Sequence, residues 1–583
     1  MFNVLKINVG NNKNSILQIS HEEIKKYLGG KCLATKILLD YLNPGVNPFS
    51  EENIFMIMGG PLSGTIVPSM KCSVAVKSPL TGTISVGFMG GHIIKCIRDA
   101  GYLGLMIVGK CDKPSYVFVE DEEVKLLDAS KFWGLNTFAT EEELYLRHGR
   151  DVGIITIGPA GENLVPFSVV NTDFYRQAAR GGPGSVLGSK KIKAIVVKGS
   201  GAKSPPVSDE LFKLSKQIIS DINANTSLFR FRKWGTTGSV LGSNSNSTLP
   251  TQNFSEQYFE KADQISGERG ESLFWFKRRA CFSCPVGCGH IGSVRGGSFK
   301  GAIVEGPEYE TAAIMGSNLL IENISDLVYL NKLCDFWGLD TISTGAVLSF
   351  YAECLEKGLV KDELNISDNL WGNATLFGQL IELIAKREGV GKLLSLGVKE
   401  ASKVFGPQTK KYAMHVKGLE MPGWGIHRAP GMAVAYITAD RGADHQQAFP
   451  LSFEITSNLE KTSPQYIEHV AKIIFEHQNF NAMVNSVIGC DFTFGAIGMQ
   501  NIIDLLKHST GIEFHEGELL KIGELCVNLS KEFNEREGKE FIVGELPERY
   551  FSEPITQGPH SGAKIDREVF NKIKEKYLEL RGW

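Results

Sequence analysis

Long hydrophobic runs are absent from this chain of 583 residues. No window approaches the roughly 18 consecutive apolar residues that a membrane span requires. The N-terminal segment MFNVLKINVGNN also lacks the charged, apolar and small-residue regions of a signal peptide. We therefore expect a cytoplasmic protein without a membrane span.

Neither sign of charge dominates the composition. Lys and Arg number 62 against 65 Asp and Glu, which gives a net charge of -3, so the sequence offers no general basic field for nucleic acid. Charged residues at 22% and hydrophobic residues at 42% are typical of a globular protein and exclude disorder. The 11 cysteines are an odd number in a large chain, which argues against a disulfide framework.

The first 200 residues are rich in short apolar runs that end at glycine, proline or a turn. Such runs predict strands, here over residues 3–9, 16–19, 54–58, 72–76, 105–108, 116–119, 124–127, 152–157 and 192–197. The first two runs predict a hairpin, and so do 116–119 and 124–127. A strand-rich base leaves its surface loops free to hold a ligand.

The chain changes character near Ser200, where GSGAKSPPVSDE predicts a linker. Ser208 is the expected N-cap of a helix over residues 210–222. Periodic apolar positions predict further helices over residues 325–337, 342–357, 375–387, 391–404, 464–478 and 516–535. Long polar or glycine-rich segments at 242–253 and 421–432 predict loops that border a cavity. The expected fold class is α+β, with a β-rich first third and a helical remainder.

Three cysteines form the sharpest local motif. Cys281, Cys284 and Cys288 follow the order CxxCxxxC, which is the reverse of the radical-SAM spacing. Three thiolates within eight residues can bind one corner of an iron–sulfur cluster, whose fourth ligand must then come from elsewhere. A structural zinc site, with His290 as a local fourth ligand, is an alternative, and unligated thiols are another. Cys490 lies in a glycine-bordered break after a predicted helix, from which its side chain could reach a cofactor.

Two arginines followed by a glycine-rich run form a second motif, NTDFYRQAARGGPGSVLGSK. Arg176 and Arg180 precede a glycine-rich run that starts at Gly181. Glycines let main-chain amides approach an anion, and guanidinium groups bind phosphate or carboxylate with two hydrogen bonds. Nearer the N-terminus, Lys71 precedes a predicted strand, and the segment 77–92 supplies further glycines. No P-loop or GxGxxG fingerprint is present. The residues indicate an anion site, with a plain surface turn as the alternative.

Acidic residues and histidines form the third and fourth motifs. Glu305, Glu308 and Glu310 lie within six residues. Burial would raise the pKa of one of these carboxylates and suit it to act as a general base; an acidic helix N-terminus is the alternative. In RGADH, Asp444 can hold His445 in one tautomer for hydrogen bonding to a substrate, although a core histidine is equally consistent with that pair.

A fifth motif, DFWGLD, spans Asp335 to Asp340. A helix is expected to end at Gly338, where free amides and two acids could bind a polar heterocycle. Taken alone, the motif is also an ordinary helix C-cap.

Taken together, these segments resemble the aldehyde:ferredoxin oxidoreductase family of tungsten–pterin enzymes. The resemblance covers essentially the whole chain, in the order SPLTG, GPAGENLV, the arginine–glycine run, CxxCxxxC, EGPEYE, DxxGLDTIST, IAKREG, RGADH and LRGW. It implies a β-rich domain over residues 1–204 and two helical domains over 205–414 and 415–583. A tungsten or molybdenum bis-pterin cofactor would lie between them.

The resemblance assigns roles to individual residues. The ligands of a [4Fe-4S] cluster would be Cys281, Cys284, Cys288 and Cys490. The first pterin motif, DxxGL(D/C), is intact and carries over to Asp335, Gly338, Leu339 and Asp340. The second is altered to NSVIGC, with Asn485 for aspartate and Ile488-Gly489 for glycine-leucine. The remaining expected cofactor contacts are Lys71, Gly90, Gly91, Arg176, Arg180, Gly181, Asp444, Gln447, Asn485 and Gly489.

Several positions depart from the family pattern. Phe88 stands where the family has an asparagine near a Mg²⁺ that links the pterin phosphates, so the coordination must differ if that ion binds. Gln447 replaces a lysine that follows the active-site histidine. Tyr329 and Gly378 stand at the ligand positions of an inter-subunit iron and cannot bind it, so we expect that iron to be absent and the familiar dimer to be in question.

Glu310 and His445 match the pair that family members place beside the metal. The implied reaction is oxidation of an aldehyde to a carboxylic acid, in which Glu310 takes a proton and His445 donates a hydrogen bond to the carbonyl oxygen. Electrons would leave one at a time through the cluster to a ferredoxin or a small iron–sulfur subunit. The alternatives are a catalytic subunit for low-potential reduction of an acyl-CoA or aromatic substrate, and a zinc-stabilised binding protein without catalysis.

Overall fold

Two six-stranded sheets form the base of the protein in the computed structural model, which describes residues 2–65, 71–361, 370–538, 540 and 542–583. Their strands are β1 (Phe2–Asn8), β2 (Lys13–Ile19), β3 (Phe55–Met58), β4 (Cys72–Lys77), β5 (Ile84–Met89), β6 (Gly104–Val108), β7 (Ser115–Glu120), β8 (Glu123–Asp128), β9 (Gly153–Ile157), β10 (Val170–Thr172), β11 (Arg176–Ala178) and β12 (Ile192–Lys198). The first sheet has the order β2-β1-β6-β3-β4-β5, and the second has the order β11-β10-β9-β12-β7-β8.

Both predicted hairpins are confirmed. Strands β1 and β2 pair antiparallel, and so do β7 and β8. Strands β5, β10 and β11 were not predicted, because glycine interrupts the first and the other two are only three residues long. Such short strands depend on their neighbours for pairing.

The two sheets pack face to face. Ile57 and Leu105 of the first sheet share one apolar core with Val117 and Ile155 of the second. The opposite face of the first sheet, with Met56 and Met106, packs against helices from both ends of the chain. Side chains alternate between the two faces of a strand, so both faces of the first sheet are buried.

Helices cover the sheets and form most of the chain after residue 208. Those of the first part are α1 (His21–Tyr27), α2 (Gly30–Tyr41), α3 (Ile93–Asp99), α4 (Thr137–His148), α5 (Pro159–Glu162) and α6 (Pro183–Ser189). The next group is α7 (Asp209–Ala224), α8 (Phe229–Trp234), α9 (Val240–Ser245), α10 (Gly267–Leu273), α11 (Tyr309–Thr311), α12 (Ile324–Trp337), α13 (Thr341–Glu356), α14 (Ala374–Lys386), α15 (Gly391–Leu394) and α16 (Val398–Phe405). The last group is α17 (Pro430–Thr438), α18 (Leu451–Thr456), α19 (Pro464–Val487), α20 (Asp491–Ile497), α21 (Met499–Thr510), α22 (Glu516–Glu537), α23 (Arg549–Ser552) and α24 (Arg567–Arg581).

Smaller elements connect these helices. A three-stranded antiparallel sheet is formed by β13 (Trp275–Arg279), β14 (Gly289–Ser293) and β15 (Ile303–Glu305), and a two-stranded one by β16 (His415–Val416) and β17 (Leu419–Glu420). Short 3₁₀ turns occupy Thr226–Leu228, Thr236–Ser239, Ala262–Ile265, Ser317–Leu319 and Pro407–Tyr412, and one π-helical segment occupies Ala312–Gly316.

The α+β prediction is confirmed, with local corrections. Ser208 caps α7 by accepting a hydrogen bond from the Leu211 amide. The single helix predicted over 391–404 is wrong, because the chain breaks at Gly397, whose φ of +83° is left-handed, and continues as α16. The predicted loops 242–253 and 421–432 overlap the end of α9 and the start of α17. The division into three domains stays a prediction.

Among the helices in the described ranges, none combines the length and the apolar character needed to cross a membrane. All 11 cysteines lie in the described ranges, and none of them forms a disulfide.

Candidate active site and cofactor site

The four predicted cluster cysteines come together in the fold. The thiols of Cys284 and Cys288 both interact electrostatically with the thiol of Cys490, although more than 200 residues separate them in the chain. Burial raises the pKa of Cys284 to about 11, although amide hydrogen bonds from Val286 and Gly287 oppose the shift. Main-chain amides directed at a sulfur are typical of iron–sulfur sites.

Two cations lie beside these thiols. Burial lowers the pKa of Lys71, but Asp491 and the thiols of Cys490, Cys281 and Cys288 raise it above its usual value overall. Arg176 forms an ion pair with Glu305, and its guanidinium also interacts with Cys281 and Cys288. Positive charge favours the thiolate form that a metal requires.

Gly90 makes room for the cysteine loop. A β-carbon at this position would clash with Cys281 Sγ, so this thiol would have to move if another residue stood here. The neighbouring Gly91 lies against Asp173, and Gly181 lies against Ser85 at a φ of +91°. The predicted glycines therefore lie at the two ends of the contact between β5 and β11, Gly181 near Ser85 at one end and Gly91 near Asp173 at the other.

His290 is not placed as a zinc ligand. Its Nδ1 lies 2.9 Å from the Cys288 carbonyl oxygen, and its Nε2 lies 3.2 Å from the Arg232 carbonyl oxygen. Both ring nitrogens are therefore occupied by main-chain oxygens. Within the described ranges, no three His, Cys, Asp or Glu side chains form a site for a single metal ion.

The first predicted pterin motif joins two helices. Gly338 ends α12 at a φ of +76°, and Asp340 caps α13 by accepting hydrogen bonds from the amides of Ile342 and Ser343. Asp335 accepts hydrogen bonds from Gln177 Nε2 (2.6 Å) and Asn331 Nδ2 (3.1 Å), and its pKa is raised well above normal, chiefly by burial. Leu339 is fully buried.

The second motif has an unusual backbone. Ile488 ends α19 at φ +62° and ψ +40°, a left-handed conformation that is rare for a β-branched residue. In the first motif, a glycine occupies the left-handed position. The Ile488 side chain packs against Gly30, where a β-carbon would lie 2.5 Å from Ile488 Cδ1, and against Gly60. Asn485 is buried, and Gly489 lies beside the Phe494 ring.

Gln447 belongs to a buried charge network. Its Nε2 donates to Asp440 Oδ1 (2.5 Å) and Asp444 Oδ2 (3.2 Å). Asp440 pairs with Lys31 at 2.6 Å, and Asp444 pairs with Arg441 at 2.7 Å. Burial would raise the pKa of Asp444, but Arg441 and His445 lower it overall. The glutamine therefore bridges two carboxylates, each of which forms an ion pair with a basic side chain.

Arg180 connects the base to the later loops. Its two terminal nitrogens donate to the carbonyl oxygens of Ala443 and Glu420, and its Nε lies 3.7 Å from Asp340 Oδ2. Sequence reasoning missed Glu420, a buried residue that accepts a hydrogen bond from Ser343 Oγ (2.7 Å). Burial raises the pKa of Glu420 to about 7. Nothing in the sequence around Glu420 indicates its burial.

The two residues of the predicted catalytic pair lie next to each other in the fold. Glu310 Oε1 and His445 Nδ1 are 3.3 Å apart, and both atoms lack a hydrogen-bond partner within the described parts of the chain. Glu310 Oε2 accepts a hydrogen bond from the Gly423 amide at 2.6 Å. Glu310 belongs to α11, directly before the π-helical segment, a feature frequent at functional sites.

Aromatic rings border this pair. Trp424 lies against Tyr309, with ring centroids 4.2 Å apart, and against Phe449 at 4.9 Å. Its ring centroid is 6.5 Å from that of His445. Trp424, Phe449 and His445 are each half-buried, so a ligand beside His445 would meet an aromatic surface.

Buried polar atoms without a hydrogen-bond partner lie on β10 and just after β11. Within the described residues they include Thr172 Oγ1, both amide atoms of Asn171, and Arg180 Nε, which lies 3.7 Å from Asp340 Oδ2. Unpaired polar atoms are costly in an interior, so these atoms fit a polar ligand at this position. His427 is instead fully buried, beside Tyr550.

Two departures from the expected pattern have local explanations. Tyr329 stacks on Phe299 at 3.9 Å, and its hydroxyl lies close to Gly378, which has no side chain to oppose it. Phe88 packs against the same apolar core as Cys284 and Cys288 and offers no ligand atom.

Comparisons with known proteins cover almost the entire chain. Residues 4–199 match the aldehyde ferredoxin oxidoreductase N-terminal domain, and residues 213–583 match domains 2 and 3 of that family. The chain is 34% identical to the tungsten-containing aldehyde ferredoxin oxidoreductase of Pyrococcus furiosus, over 99% of this chain and 95% of the relative. It is 31% identical to the WOR-like subunit of an aliphatic sulfonate oxidoreductase from the same organism, over 99% and 93%.

A solved structure has the same fold. The active-site complex BamBC of benzoyl coenzyme A reductase, with 1,5-dienoyl-CoA, superposes with a TM-score of 0.85 at 21% identity and covers 100% of this chain and 94% of that one. The family matches and the full-length relatives lead to one conclusion: this chain is an oxidoreductase that belongs to the aldehyde ferredoxin oxidoreductase family.

Proposed function

We propose that this protein oxidises aldehydes to carboxylic acids with a tungsten bis-pterin cofactor and passes the electrons through a [4Fe-4S] cluster to a ferredoxin or a small iron–sulfur subunit. The observation that carries the proposal is the pairing of Glu310 with His445 beside the ring of Trp424. The 34% identity of this chain to the tungsten-containing aldehyde ferredoxin oxidoreductase of Pyrococcus furiosus supports the proposal.

The proposed cofactor residues fall into two groups. The motif from Asp335 to Asp340 would hold one pterin, and Asn485 and Gly489, with Asp444 and Gln447, would hold the other. The pterin phosphates would lie among Lys71, Arg176, Arg180 and the glycines Gly90, Gly91 and Gly181. When bound, the metal would accept the two electrons released by the aldehyde.

The chain's own residues supply the proton chemistry. Conversion of an aldehyde and water to a carboxylic acid releases two electrons and two protons, so a base must accept a proton as water adds to the carbonyl carbon. Glu310 is suited to this role because Gly423 holds one carboxylate oxygen, and the other, 3.3 Å from His445 Nδ1, has no hydrogen-bond partner among the described residues. His445 directs its Nδ1 at Glu310 Oε1, 3.3 Å away. With a proton on each ring nitrogen it can pair with the ionised Glu310 and donate a hydrogen bond from Nε2 to the carbonyl oxygen.

The aromatic residues Trp424 and Phe449 indicate the kind of aldehyde. Trp424 presents a ring beside His445, and Phe449 packs edge-on against Trp424. Stacked or edge-on rings gain about 0.5–1.5 kcal/mol beyond area burial. We therefore propose an aldehyde with a flat, apolar substituent.

The first experiment is elemental analysis of protein purified without oxygen, together with an aldehyde screen that uses a viologen acceptor. About one tungsten and about four irons per chain, with aldehyde-dependent dye reduction, would support the proposal. Tungsten and iron with reduction of a CoA thioester, but no aldehyde oxidation, would favour the low-potential reductase instead. Zinc alone would favour a binding protein.

A further inference from the structure

We propose that an exposed basic and aromatic surface beside the cysteine cluster is the docking site for a small acidic iron–sulfur protein. The surface consists of Phe229 and Arg230 of α8, Leu273 of α10, and Phe276, Lys277 and Arg278 of β13; we call it the cluster-side surface. The inference rests on the proposed function, because it takes the four cysteines as the point where electrons leave.

Helix α8 and strand β13 both contact the loops that carry the cysteines. A β-carbon on Gly235, at the end of α8, would lie 2.9 Å from the Cys288 carbonyl oxygen. Phe231 of α8 stacks at 4.3 Å on Phe492, two residues after Cys490. Arg278 Nη2 donates to the Val286 carbonyl oxygen at 3.5 Å. A protein that approaches these loops from this side therefore meets the cluster-side surface.

The cations on this surface lack carboxylate partners. Among the described residues, Arg230, Lys277 and Arg278 form no ion pair, whereas the nearby Lys233 pairs with Glu271 and Lys71 with Asp491. The whole chain has a net charge of -3, so this positive charge is a local feature. Unpaired surface cations attract an acidic partner and raise its association rate at low ionic strength.

Exposed apolar side chains accompany the cations. Phe229 is 60% exposed, Phe276 is 59% exposed and Leu273 is 48% exposed. Helix α10 lies between α8 and β13 and contacts both. Trp234 Nε1 of α8 donates a hydrogen bond to Glu271 of α10 at 2.7 Å, and Gly270 of α10 packs on Trp275 of β13. Apolar residues with charged neighbours are typical of protein–protein interfaces, and they favour a protein partner over a free anion.

The test compares two electron acceptors for the same holoenzyme. The double variant Arg230→Glu/Lys277→Glu is reduced with dithionite and freed of excess reductant, and its reoxidation is followed by rapid mixing with an oxidised bacterial-type ferredoxin or with a viologen. This assay needs no aldehyde, so its result is independent of the proposed substrate. The matched control is Lys110→Glu/Lys392→Glu, which makes the same charge change at exposed positions on other elements.

We expect the ferredoxin rate constant at low salt to fall at least about tenfold in the double variant, with viologen reoxidation and iron content within twofold of the wild type. Added salt should slow the wild-type reaction with ferredoxin and largely spare the variant, because screening removes an attraction that the variant lacks. Phe276→Ala should weaken ferredoxin binding without changing the salt dependence. An unchanged ferredoxin rate, an equal loss with both acceptors, or an equal effect of the control variant would overturn the assignment.

Discussion

Replacement of Glu310 by glutamine tests the proposed base most directly. The amide keeps an oxygen that can accept the 2.6 Å hydrogen bond from Gly423, so the loop should keep its position. The amide cannot take a proton from an attacking water. Residues that act as general acids or bases contribute about 10²–10⁴-fold to rate, which corresponds to about 2.7–5.4 kcal/mol in the activation barrier.

The assay is single-turnover aldehyde oxidation by the metal-loaded variant, with tungsten and iron measured on the same sample. We expect the rate to fall by a factor within that range while metal content stays at the wild-type level. Glu308→Gln is the matched control. It makes the same chemical change two residues earlier, at an exposed side chain that accepts a hydrogen bond from Thr236, and it should change the rate less than about threefold.

Two results would refute the reasoning about Glu310. A variant that retains full metal content and more than about a tenth of the wild-type rate would show that proton removal does not depend on this carboxylate. Equal losses in both variants would show that the effect is general to this acidic segment and not specific to the pair with His445.

Four further predictions concern single positions. Cys490→Ser should lower bound iron by at least about half relative to wild type, whereas Cys354→Ala, at a thiol buried in another core, should leave it unchanged; equal iron in both would argue against Cys490 as a ligand. Ile488→Gly should be more stable to denaturant than Ile488→Ala by about 1 kcal/mol, the reverse of the usual helix order, because only glycine is unstrained at a left-handed φ. Burial raises the pKa of Glu420 to about 7 from 4.5, so the stability that this carboxyl contributes is complete below about pH 4.5 and is lost as pH rises through 7. In denaturant titrations the free energy of unfolding of Glu420→Gln should therefore rise relative to that of the wild type by up to about 3 kcal/mol between pH 5 and pH 8. A difference that does not change with pH would contradict the raised pKa. Trp424→Ala should raise KM for an aromatic aldehyde by about tenfold and leave acetaldehyde nearly unaffected, and equal changes for both substrates would place Trp424 away from the substrate.

Much of the protein follows from local sequence. The capping serine before α7, the hairpin of β1 and β2, and the helix end at Gly338 each need only neighbouring residues, so the pattern predicts them. The CxxCxxxC motif is equally local, since its spacing alone limits the chemistry of the loop. The association of Cys490 with that loop came from family resemblance, because nothing in the local chain specifies a partner two hundred residues away.

Tertiary structure decided the rest. Strands β10 and β11, the second of which carries Arg176, are too short to be recognised without the neighbours that pair with them. The burial of Glu420, its raised pKa and its link to Asp340 through Ser343 depend on elements far apart in the chain. Ile488 adopts a left-handed backbone that its own side chain disfavours, because packing against Gly30 and Gly60 offsets the strain. The sequence by itself determined which reactive groups are present and how the local elements begin and end. Only the fold decided which of these groups meet, because burial and electrostatic interaction depend on distance in space and not on distance along the chain.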